Sequence, residues 1–367
     1  MKILFILEYY HPHIGGVETL FKNLVDKLNQ TDNKITILTN QYNKSLPRTE
    51  TFENVTIIRL PYQNRYVFTF LSIYSAIKQA RDHDIIHTTS YNAAVPAFFA
   101  SKWTRTKAII TFHEVWGRLW FHLPWIHLFS QLLHYSFEQI ILMMKFHRFV
   151  AVSEFTKNAL AKNLINPEKI VRIYNGIDYN EFIPGLPNPK IDKTRFLYFG
   201  RVGISKGLDI LINAAQLLSK ERDDFTIDLV IPNKMDGITR KVISTIEKKK
   251  ISRVISIKKS MSFESLKNII VNVDAVIVPS YSEGFCFAAV ETIALGTPLI
   301  ISGKGALNEV IGGKYLQFDN MDPRSLKSKM INAIEKKWSE KPIKQFHLED
   351  TVQQYIDLYK SIYKENT

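Results

Sequence analysis

Short apolar runs alternate with helix-like stretches along most of this chain, and this alternation restricts the possible folds more than any other feature. Residues 2–7 form an almost continuous apolar run that is typical of a buried strand. Residues 17–28 carry apolar side chains at helical spacing, which predicts an amphipathic helix. By the same criteria, strands are predicted at residues 34–39, 55–60, 84–87, 108–111, 149–152, 170–174, 195–199, 226–231, 275–279 and 298–301, and helices at 70–81, 93–102, 154–162, 207–219, 288–295, 325–338 and 352–363. Strands that alternate with helices indicate an α/β protein built on doubly wound parallel sheets.

The length of the chain predicts two domains. Single hydrophobic cores stop growing at roughly 250–300 residues, and this chain has 367. The clearest linker is the Pro- and Gly-rich stretch at residues 184–189. We therefore predict one domain over residues 1–186 and a second over residues 187–346.

Composition bounds the class of protein and its compartment. The chain is 46% hydrophobic and 12% aromatic, which excludes wholesale disorder. Its one cysteine, Cys286, cannot form an internal disulfide, so a reducing compartment is expected, and we interpret it as a packing residue. The apolar run at residues 3–7 is too short for a secretory signal, and no apolar stretch reaches the roughly 20 residues of a spanning helix. We expect a cytoplasmic protein, either soluble or peripheral at the inner face of the membrane.

The net charge of +13 favours binding to an anionic partner. Nucleic acid is not predicted, because the basic residues are spread widely, apart from runs such as Lys248-Lys249-Lys250, and no nucleic-acid-binding module is recognisable. An anionic membrane surface and a phosphorylated acceptor fit the charge equally well.

The stretch from Glu283 to Glu291 joins the strand predicted at residues 275–279 to the helix predicted at 288–295. In an open α/β sheet such a turn faces the ligand crevice at the carboxyl ends of the strands. The free N–H groups of a helix start suit an anionic or hydroxyl-rich ligand, and two carboxylates accept hydrogen bonds from sugar hydroxyls. The residues alone give equal weight to another interpretation, in which Glu283 is a solvated turn residue and Glu291 an ordinary surface charge.

Arg201 and Lys206 bracket a short loop that follows the strand predicted at residues 195–199. An arginine binds phosphate oxygens in bidentate fashion and a lysine supplies a compact charge, so the pair suits a diphosphate. The alternative is a solvated loop with no ligand.

His113 follows the strand predicted at residues 108–111, where a side chain is well placed for a ligand. A structural histidine is the alternative. Gly15 and Gly16 form a turn between the first strand and the first helix, which allows backbone N–H groups to approach a phosphate or a sugar.

Several of these segments together resemble family-4 retaining glycosyltransferases, which have the GT-B architecture. The resemblance rests on Glu283-Gly284-Phe285 followed by Glu291, on Gly15-Gly16-Val17-Glu18, on Gly200-Arg201 with Lys206-Gly207, and on Asn175-Gly176-Ile177-Asp178, in the order of the family. It implies two Rossmann-like doubly wound parallel-sheet domains that face a central cleft. Residues 1–186 would be the acceptor side, residues 187–346 the nucleotide-sugar donor side, and residues 347–367 a helix that crosses back to the first domain.

The resemblance also implies residue roles. Arg201 and Lys206 would neutralise the donor diphosphate in place of a metal ion, and His113 would reach the transferred sugar. Glu283 would hold the sugar hydroxyls, and Glu291 would accept from the ribose. Donor contacts are further implied for Gly15, Gly16, Phe285, Cys286 and Phe287. No cofactor and no metal are expected, since the nucleotide-sugar is a co-substrate.

Residues 116–146 are unusually rich in aromatic side chains with scattered bases, and they predict two helices broken near Pro124. Such helices suit a membrane interface, or their aromatic side chains pack on the core of the first domain or line a deep cleft; these interpretations stay open. His122, His127 and His134 do not have the spacing of a metal site.

The function predicted from the resemblance is transfer of a sugar, with retention, from a nucleotide-sugar to a lipid-linked or polysaccharide precursor. The alternatives are another GT-B enzyme, such as a nucleotide-sugar epimerase, and a non-catalytic nucleotide-sugar-binding membrane scaffold. Residues 305–309 resemble a family turn near the phosphates, whereas residues 232–237 and 257–260 depart from the family pattern. The donor base is therefore not predicted.

Overall fold

The computed structural model of the chain describes residues 1–13, 15–183, 193–233 and 235–365. They form two compact units. The first contains residues 1–117, 132–176 and the segment from His347, and the second contains residues 118–131 and 177–346. The predicted linker at residues 184–189, and with it the predicted boundary after residue 186, lies outside the described residues.

The first unit is built on an eight-stranded sheet with the order β3-β4-β2-β1-β5-β6-β7-β8. The strands are β1 (Lys2–Ile6), β2 (Lys34–Asn40), β3 (Thr49–Phe52), β4 (Val55–Leu60), β5 (Ile85–Thr89), β6 (Lys107–Phe112), β7 (Arg148–Ala151) and β8 (Ile170–Arg172). All neighbours pair in parallel except β3, which runs antiparallel to β4 at the edge. The central strands are buried on both faces, which explains their almost continuous apolar sequences.

Helices cover both faces of this sheet. They are α1 (Gly16–Asn29), α2 (Arg65–Leu71), α3 (Ile73–Ala80), α4 (Ala94–Thr104), α5 (Leu128–Met143) and α6 (Glu154–Lys162). Because side chains alternate along a strand, Ile3 and Phe5 of β1 pack in the core cluster that holds α1, whereas Leu4 and Ile6 pack in the cluster that holds the buried sides of α2 to α6.

The second unit has a seven-stranded sheet with the order β11-β10-β9-β12-β13-β14-β15, parallel except for β15 at the edge. Its strands are β9 (Thr194–Phe199), β10 (Phe225–Ile231), β11 (Ile255–Lys259), β12 (Ala275–Val278), β13 (Leu299–Ile301), β14 (Gly313–Gln317) and β15 (Ser339–Lys341). Its helices are α7 (Leu208–Leu218), α8 (Gly237–Lys248), α9 (Phe263–Val271), α10 (Phe287–Ala294), α11 (Leu307–Val310) and α12 (Pro323–Ile334). Strand β9 pairs with both β10 and β12, so loops after β9 and β12 lie side by side.

The last helix, α13 (Leu348–Lys364), belongs to the first unit. Its Tyr355 and Tyr359 are fully buried in the same core cluster as α1. The doubly wound α/β architecture predicted from the sequence is thus confirmed in both units.

Some local predictions were wrong. The single helix predicted at residues 70–81 is two helices that meet at Ser72, whose hydroxyl donates to the Phe68 carbonyl at 2.6 Å. The helix predicted at 325–338 ends at Ile334, and Lys336 just beyond it has a positive φ of 58°. The edge strands β3 and β15 were not predicted, because every residue in them is exposed and their sequences lack an apolar face.

Residues 116–146 are partly buried and partly exposed, and contact with a membrane stays a prediction. A 3₁₀ helix at Gly117–His122 precedes α5, so the predicted break near Pro124 is confirmed. Trp120 and Leu123 are buried, and Trp125 packs against the core of the second unit. Much of α5, by contrast, presents apolar side chains to solvent. None of the helices in the described part of the chain is long and apolar enough to cross a bilayer.

Candidate active site

Of the glutamate pair predicted from the sequence, Glu283 lies on the turn between β12 and α10, and Glu291 lies within α10. Helix α10 begins at Phe287, and Cys286 caps it with a φ of 79°, a left-handed conformation that costs a non-glycine residue about 1–3 kcal/mol. Burial, and next the charge of Glu283, raise the pKa of the Cys286 thiol well above its usual range. The thiol is therefore neutral, as expected of a packing residue rather than a nucleophile.

Glu283 is the centre of a hydrogen-bonded cluster. Its side chain is only 8% exposed, and the Lys206 ammonium donates to Oε1 at 2.8 Å and to Oε2 at 3.0 Å. The Ser280 hydroxyl donates to Oε1 at 2.6 Å. A buried carboxylate held by a cation and a hydroxyl is not a solvated turn residue, so that alternative is excluded for Glu283. The same contacts hold Lys206 against the turn, so it is not a solvated loop residue either.

Two glycines allow two different loops to approach the backbone between β12 and α10. Gly207 has a φ of 65°, and a Cβ there would collide with the Pro279 carbonyl. Gly305 has a φ of 67°, and a Cβ there would collide with the backbone of Glu283. The Ala306 N–H donates to the Glu283 carbonyl at 2.7 Å. Both positions need glycine because the backbones approach too closely for any side chain.

Arg201 lies at the carboxyl end of β9 with its guanidinium exposed. Within the described residues no hydrogen bond or ion pair engages that guanidinium, while its backbone carbonyl accepts from the Tyr198 hydroxyl at 2.9 Å. Burial is the main cause that raises the pKa of Tyr198, and the nearby charge of Lys206 opposes it. The second unit therefore presents a bound cation, Lys206, and an unengaged one, Arg201, after the same strand.

Glu291 lies inside α10, two turns after Glu283. It is half-buried, and desolvation raises the pKa of its carboxyl to about 7. No donor from the described chain reaches this carboxylate. An ordinary surface glutamate would keep its usual pKa, whereas Glu291 is desolvated with no compensating hydrogen bond from the described chain.

Aromatic packing fixes the turn itself. Phe285 is buried and meets the rings of Phe287 and Phe346 edge-on, at centroid distances of 5.3 and 5.2 Å. Of the predicted donor contacts, Phe285, Cys286 and Phe287 thus form one rigid corner beside Glu283.

Gly15 and Gly16 lie in the first unit, at the start of α1. A Cβ on Gly15 would collide with the carboxylate of Glu18, which is buried and bonded to His13 Nδ1 at 2.9 Å. The His13 ring stacks on Tyr9 at 4.5 Å. Glu18 therefore holds the loop that carries Tyr9 and His13, a contact that was not predicted from the sequence.

His113 directly follows β6 in the first unit and is half-buried. Close to it is His87 on β5, whose pKa is lowered to about 3, mainly by complete burial and further by the charge of His113. His87 contacts the Tyr359 hydroxyl at 2.5 Å and the Thr111 hydroxyl at 2.8 Å. His87 was not predicted as a functional residue, because a histidine inside an apolar strand gives no sequence pattern that marks its partners.

Among the described residues, no group of three or more histidine, cysteine and acidic side chains is arranged to hold a metal ion. The expectation of a metal-free reaction stays a prediction.

Comparisons with known proteins agree with the geometry. The family model described as Glycosyltransferase Family 4 matches residues 14–181, and the model described as Glycosyl transferases group 1 matches residues 182–347. The chain is 26% identical over 356 residues to an uncharacterised glycosyltransferase of Methanocaldococcus jannaschii, in an alignment that covers 91% of this chain and 88% of that protein. It is 22% identical to one of the subunits of the human phosphatidylinositol N-acetylglucosaminyltransferase, over 91% of this chain and 68% of that protein.

Solved structures share the fold at low sequence identity. Sucrose-phosphate synthase from Thermosynechococcus elongatus superposes with a TM-score of 0.78 at 17% identity, over 99% of each chain. Anabaena HepE in complex with UDP-glucose superposes with a TM-score of 0.74 at 16% identity, over 98% of this chain and 100% of that one. Two adjoining family models that span residues 14–347, together with two parallel-dominated sheets, show that the chain belongs to glycosyltransferase family 4 and has the GT-B fold.

Proposed function

We propose that this protein is a retaining glycosyltransferase that moves a sugar from a nucleotide-sugar donor to a glycan or lipid-linked precursor at the inner face of the cell membrane. The observation that carries the proposal is the contact of Lys206 with both carboxylate oxygens of Glu283, on a loop that also carries the exposed Arg201. Arg201 and Lys206 follow β9 and Glu283 follows β12, so all three residues lie beyond the carboxyl ends of adjacent strands, where open α/β sheets bind ligands.

Arg201 and Lys206 would stabilise the departing nucleoside diphosphate. Arg201 has its donors available for bidentate contact with phosphate oxygens, and Lys206 is held in place by Glu283. Negative charge grows on the diphosphate as the glycosidic bond breaks, and fixed cations in a water-poor site are worth several kcal/mol there. The proposal assigns to these two side chains the role that a metal ion plays in other sugar transfers.

Glu283 and Glu291 would hold the two ends of the donor. Glu283 sits beside the start of α10 and would accept from hydroxyls of the transferred sugar, assisted by main-chain N–H groups near Phe285–Phe287. Glu291, with a pKa of about 7 and no donor from the described chain, would accept from the ribose hydroxyls. Hydroxyl donors favour the ionised carboxylate, so donor binding would lower the pKa of Glu291.

The proposed reaction breaks the bond between the anomeric carbon and the diphosphate oxygen. A new bond forms from the acceptor hydroxyl oxygen to the same face of that carbon, and the acceptor proton passes to the leaving diphosphate. His113, as a contact of the transferred sugar, and Gly15 and Gly16, as ligand neighbours, stay predictions for the first unit.

Two relatives support the substrate classes. Anabaena HepE is seen with UDP and with UDP-glucose, which supports a nucleotide-sugar donor here. The human relative belongs by name to a phosphatidylinositol N-acetylglucosaminyltransferase, which supports a lipid acceptor.

The first experiment is a thermal-shift screen over UDP-, GDP- and ADP-sugars, since a ligand that binds only the folded chain raises its melting temperature. Arg201→Ala should melt like the wild type without ligand, lose most of the donor-induced shift, and lower transfer by about a hundredfold or more. Arg324 on α12 is the matched control, because it is exposed and its guanidinium has no bond to any described residue. Arg324→Ala should change neither the donor-induced shift nor the rate of transfer.

The proposal would be contradicted if no nucleotide-sugar raised the melting temperature, or if Arg201→Ala transferred sugar as fast as the wild type. Donor interconversion without an acceptor would identify an epimerase instead. Donor binding with neither transfer nor interconversion would identify a scaffold.

A further inference from the structure

Helices α2, α3, α4 and α5 expose an unusually apolar surface on the first unit. Its members are large apolar side chains that the structure leaves open to solvent: Tyr66, Val67, Phe70, Leu71, Tyr74, Phe99, Trp103, Leu132, Leu133, Ile140 and Met143. We name this set the apolar face.

The four helices form one layer, so their outward sides point the same way. Their buried residues, among them Phe68, Ala76, Ala97 and Ile141, all join a single core cluster against one side of the first sheet. Helix α3 packs along α4, and the Tyr66 hydroxyl of α2 lies 3.4 Å from the His134 ring of α5. The apolar face is therefore continuous across neighbouring helices rather than a scatter of single residues.

The aromatic and apolar side chains on the outer side of these helices have large exposed fractions. Tyr74 is 77% exposed, Trp103 73%, Met143 71% and Phe70 62%. Isolated exposed apolar residues are normal, but a contiguous set on adjacent helices marks an interaction surface.

The exposed charged side chains of these four helices are all basic. The four helices contain a single carboxylate, Glu138, and it is buried: its oxygens accept from the N–H groups of Trp116 and Gly117 at 2.8 and 2.6 Å. The basic residues Lys78 and Lys102 lie on the exposed sides of α3 and α4, and each of these helices ends at an exposed arginine.

We propose that the apolar face docks on an anionic lipid bilayer, with its aromatic rings at headgroup depth and its basic residues against lipid phosphates. Trp and Tyr favour that depth, and basic side chains near an anionic surface each add affinity. A second copy of this chain fits less well, because a symmetric dimer through this face would bring like charges together with no carboxylate from these helices to pair them.

Docking through these helices extends the proposed function. It rests on that function in one respect, that the acceptor is lipid-linked. It identifies the surface by which the enzyme would reach an acceptor anchored in a membrane. None of the donor residues takes part, so membrane binding and sugar transfer can fail independently.

The test is co-sedimentation of the full chain, without donor, with vesicles of phosphatidylcholine alone and of phosphatidylcholine with phosphatidylglycerol. We expect binding to the anionic vesicles that weakens as salt is added, and little binding to the neutral ones. Leu133→Glu and Phe70→Glu should each weaken binding about tenfold or more, since each puts a charge where an apolar side chain would enter the bilayer. The combined change Lys78→Glu and Lys102→Glu should weaken it by roughly fivefold per charge removed.

Leu164 provides the matched control. It is 96% exposed but lies after α6, outside the four helices, so Leu164→Glu should bind vesicles like the wild type. Failure of the wild type to bind anionic vesicles would overturn the proposal, and so would equal binding by Leu133→Glu and Leu164→Glu. A dimer that Leu133→Glu disperses, without vesicle binding, would assign the face to self-association instead. A donor-induced thermal shift in the same preparation tests the transferase proposal separately.

Discussion

Removing the ammonium of Lys206 should separate the structural and catalytic roles of its ion pair with Glu283. In Lys206→Met the Glu283 carboxylate, only 8% exposed, keeps the Ser280 hydroxyl and loses both bonds to the cation. Breaking a fully buried pair costs about 3–5 kcal/mol, because an uncompensated charge is left behind. Lys206 itself is 25% exposed, so water screens part of the loss, and we expect about 2–3 kcal/mol. For a unit of this size that corresponds to a fall in melting temperature of roughly 4–12 °C.

Glu283→Gln in the Lys206→Met background should restore most of that stability. The amide removes the buried charge, and its oxygen can still accept from Ser280. Turnover should not recover, since the double variant lacks both the cation and the carboxylate that we propose bind the diphosphate and the sugar; we expect a loss of about a hundredfold or more. The assays are thermal melting and sugar transfer on the same four proteins: the wild type, the two single variants and the double variant.

The Lys327–Glu221 pair is the control for the stability arm. Its N–O distance is also 2.8 Å, but Glu221 is 53% exposed, so Lys327→Met should cost less than about 1 kcal/mol. Equal melting of Lys206→Met and Lys327→Met would show that burial of Glu283 does not matter. Recovery of turnover in the double variant would refute the assigned roles of Lys206 and Glu283.

Three other positions give predictions of the same kind. Glu291→Gln should raise the free energy of unfolding at pH 8 by at most about 3 kcal/mol and leave it nearly unchanged at pH 4, because a carboxyl with a pKa of about 7 resists ionisation in the folded chain. The variant should also bind the donor more weakly, and a lower melting temperature than the wild type at pH 8 would contradict the argument. The free energy of unfolding of the wild type should fall as pH drops from 6.5 toward about 3, since His87 stays neutral in the folded chain and takes up a proton in the unfolded one. In urea titrations, His87→Gln should show a weaker dependence of this free energy on pH, and an unchanged dependence would refute the argument. Gly305→Ala should lower transfer about tenfold or more by displacing Glu283, whereas Gly237→Ala, which meets nothing within 4 Å and has ordinary φ, should not; equal transfer by the two variants would refute the close-approach argument.

The fold was predictable because buried parallel strands carry a strong sequence signal. The strand predicted at residues 55–60 is β4 with the same bounds, and helix α10 begins one residue before its predicted start. The failures lie where that signal is absent. Strand β3 buries no residue, and the break at Ser72 depends on one hydroxyl bond to the preceding turn.

The sequence predicted candidate site residues but not the contacts that the structure shows between them. Nothing local to Lys206 or Glu283 says that they are bonded, because they are 77 positions apart and meet only through the adjacency of β9 and β12. The same limit applies to residues 116–146. An apolar helical pattern does not tell which side meets the core, and the structure buries Trp120 while it exposes Leu133.

The two glutamates of the β12–α10 turn differ in one respect that bears on how the site works. Glu283 is paired with a cation of the same chain, Lys206, and the glycines at 207 and 305 allow neighbouring backbone to approach the segment that carries Glu283. Glu291 has no donor from the described chain, and burial raises its pKa from the usual 4.5 to about 7. A chain under selection for stability alone would replace such a group, since each pKa unit is about 1.4 kcal/mol of unfavourable free energy once the carboxyl ionises. A bound donor with hydroxyl groups at Glu291 would recover that free energy on binding, so part of the donor affinity would come from relief of a strain that the folded chain already carries.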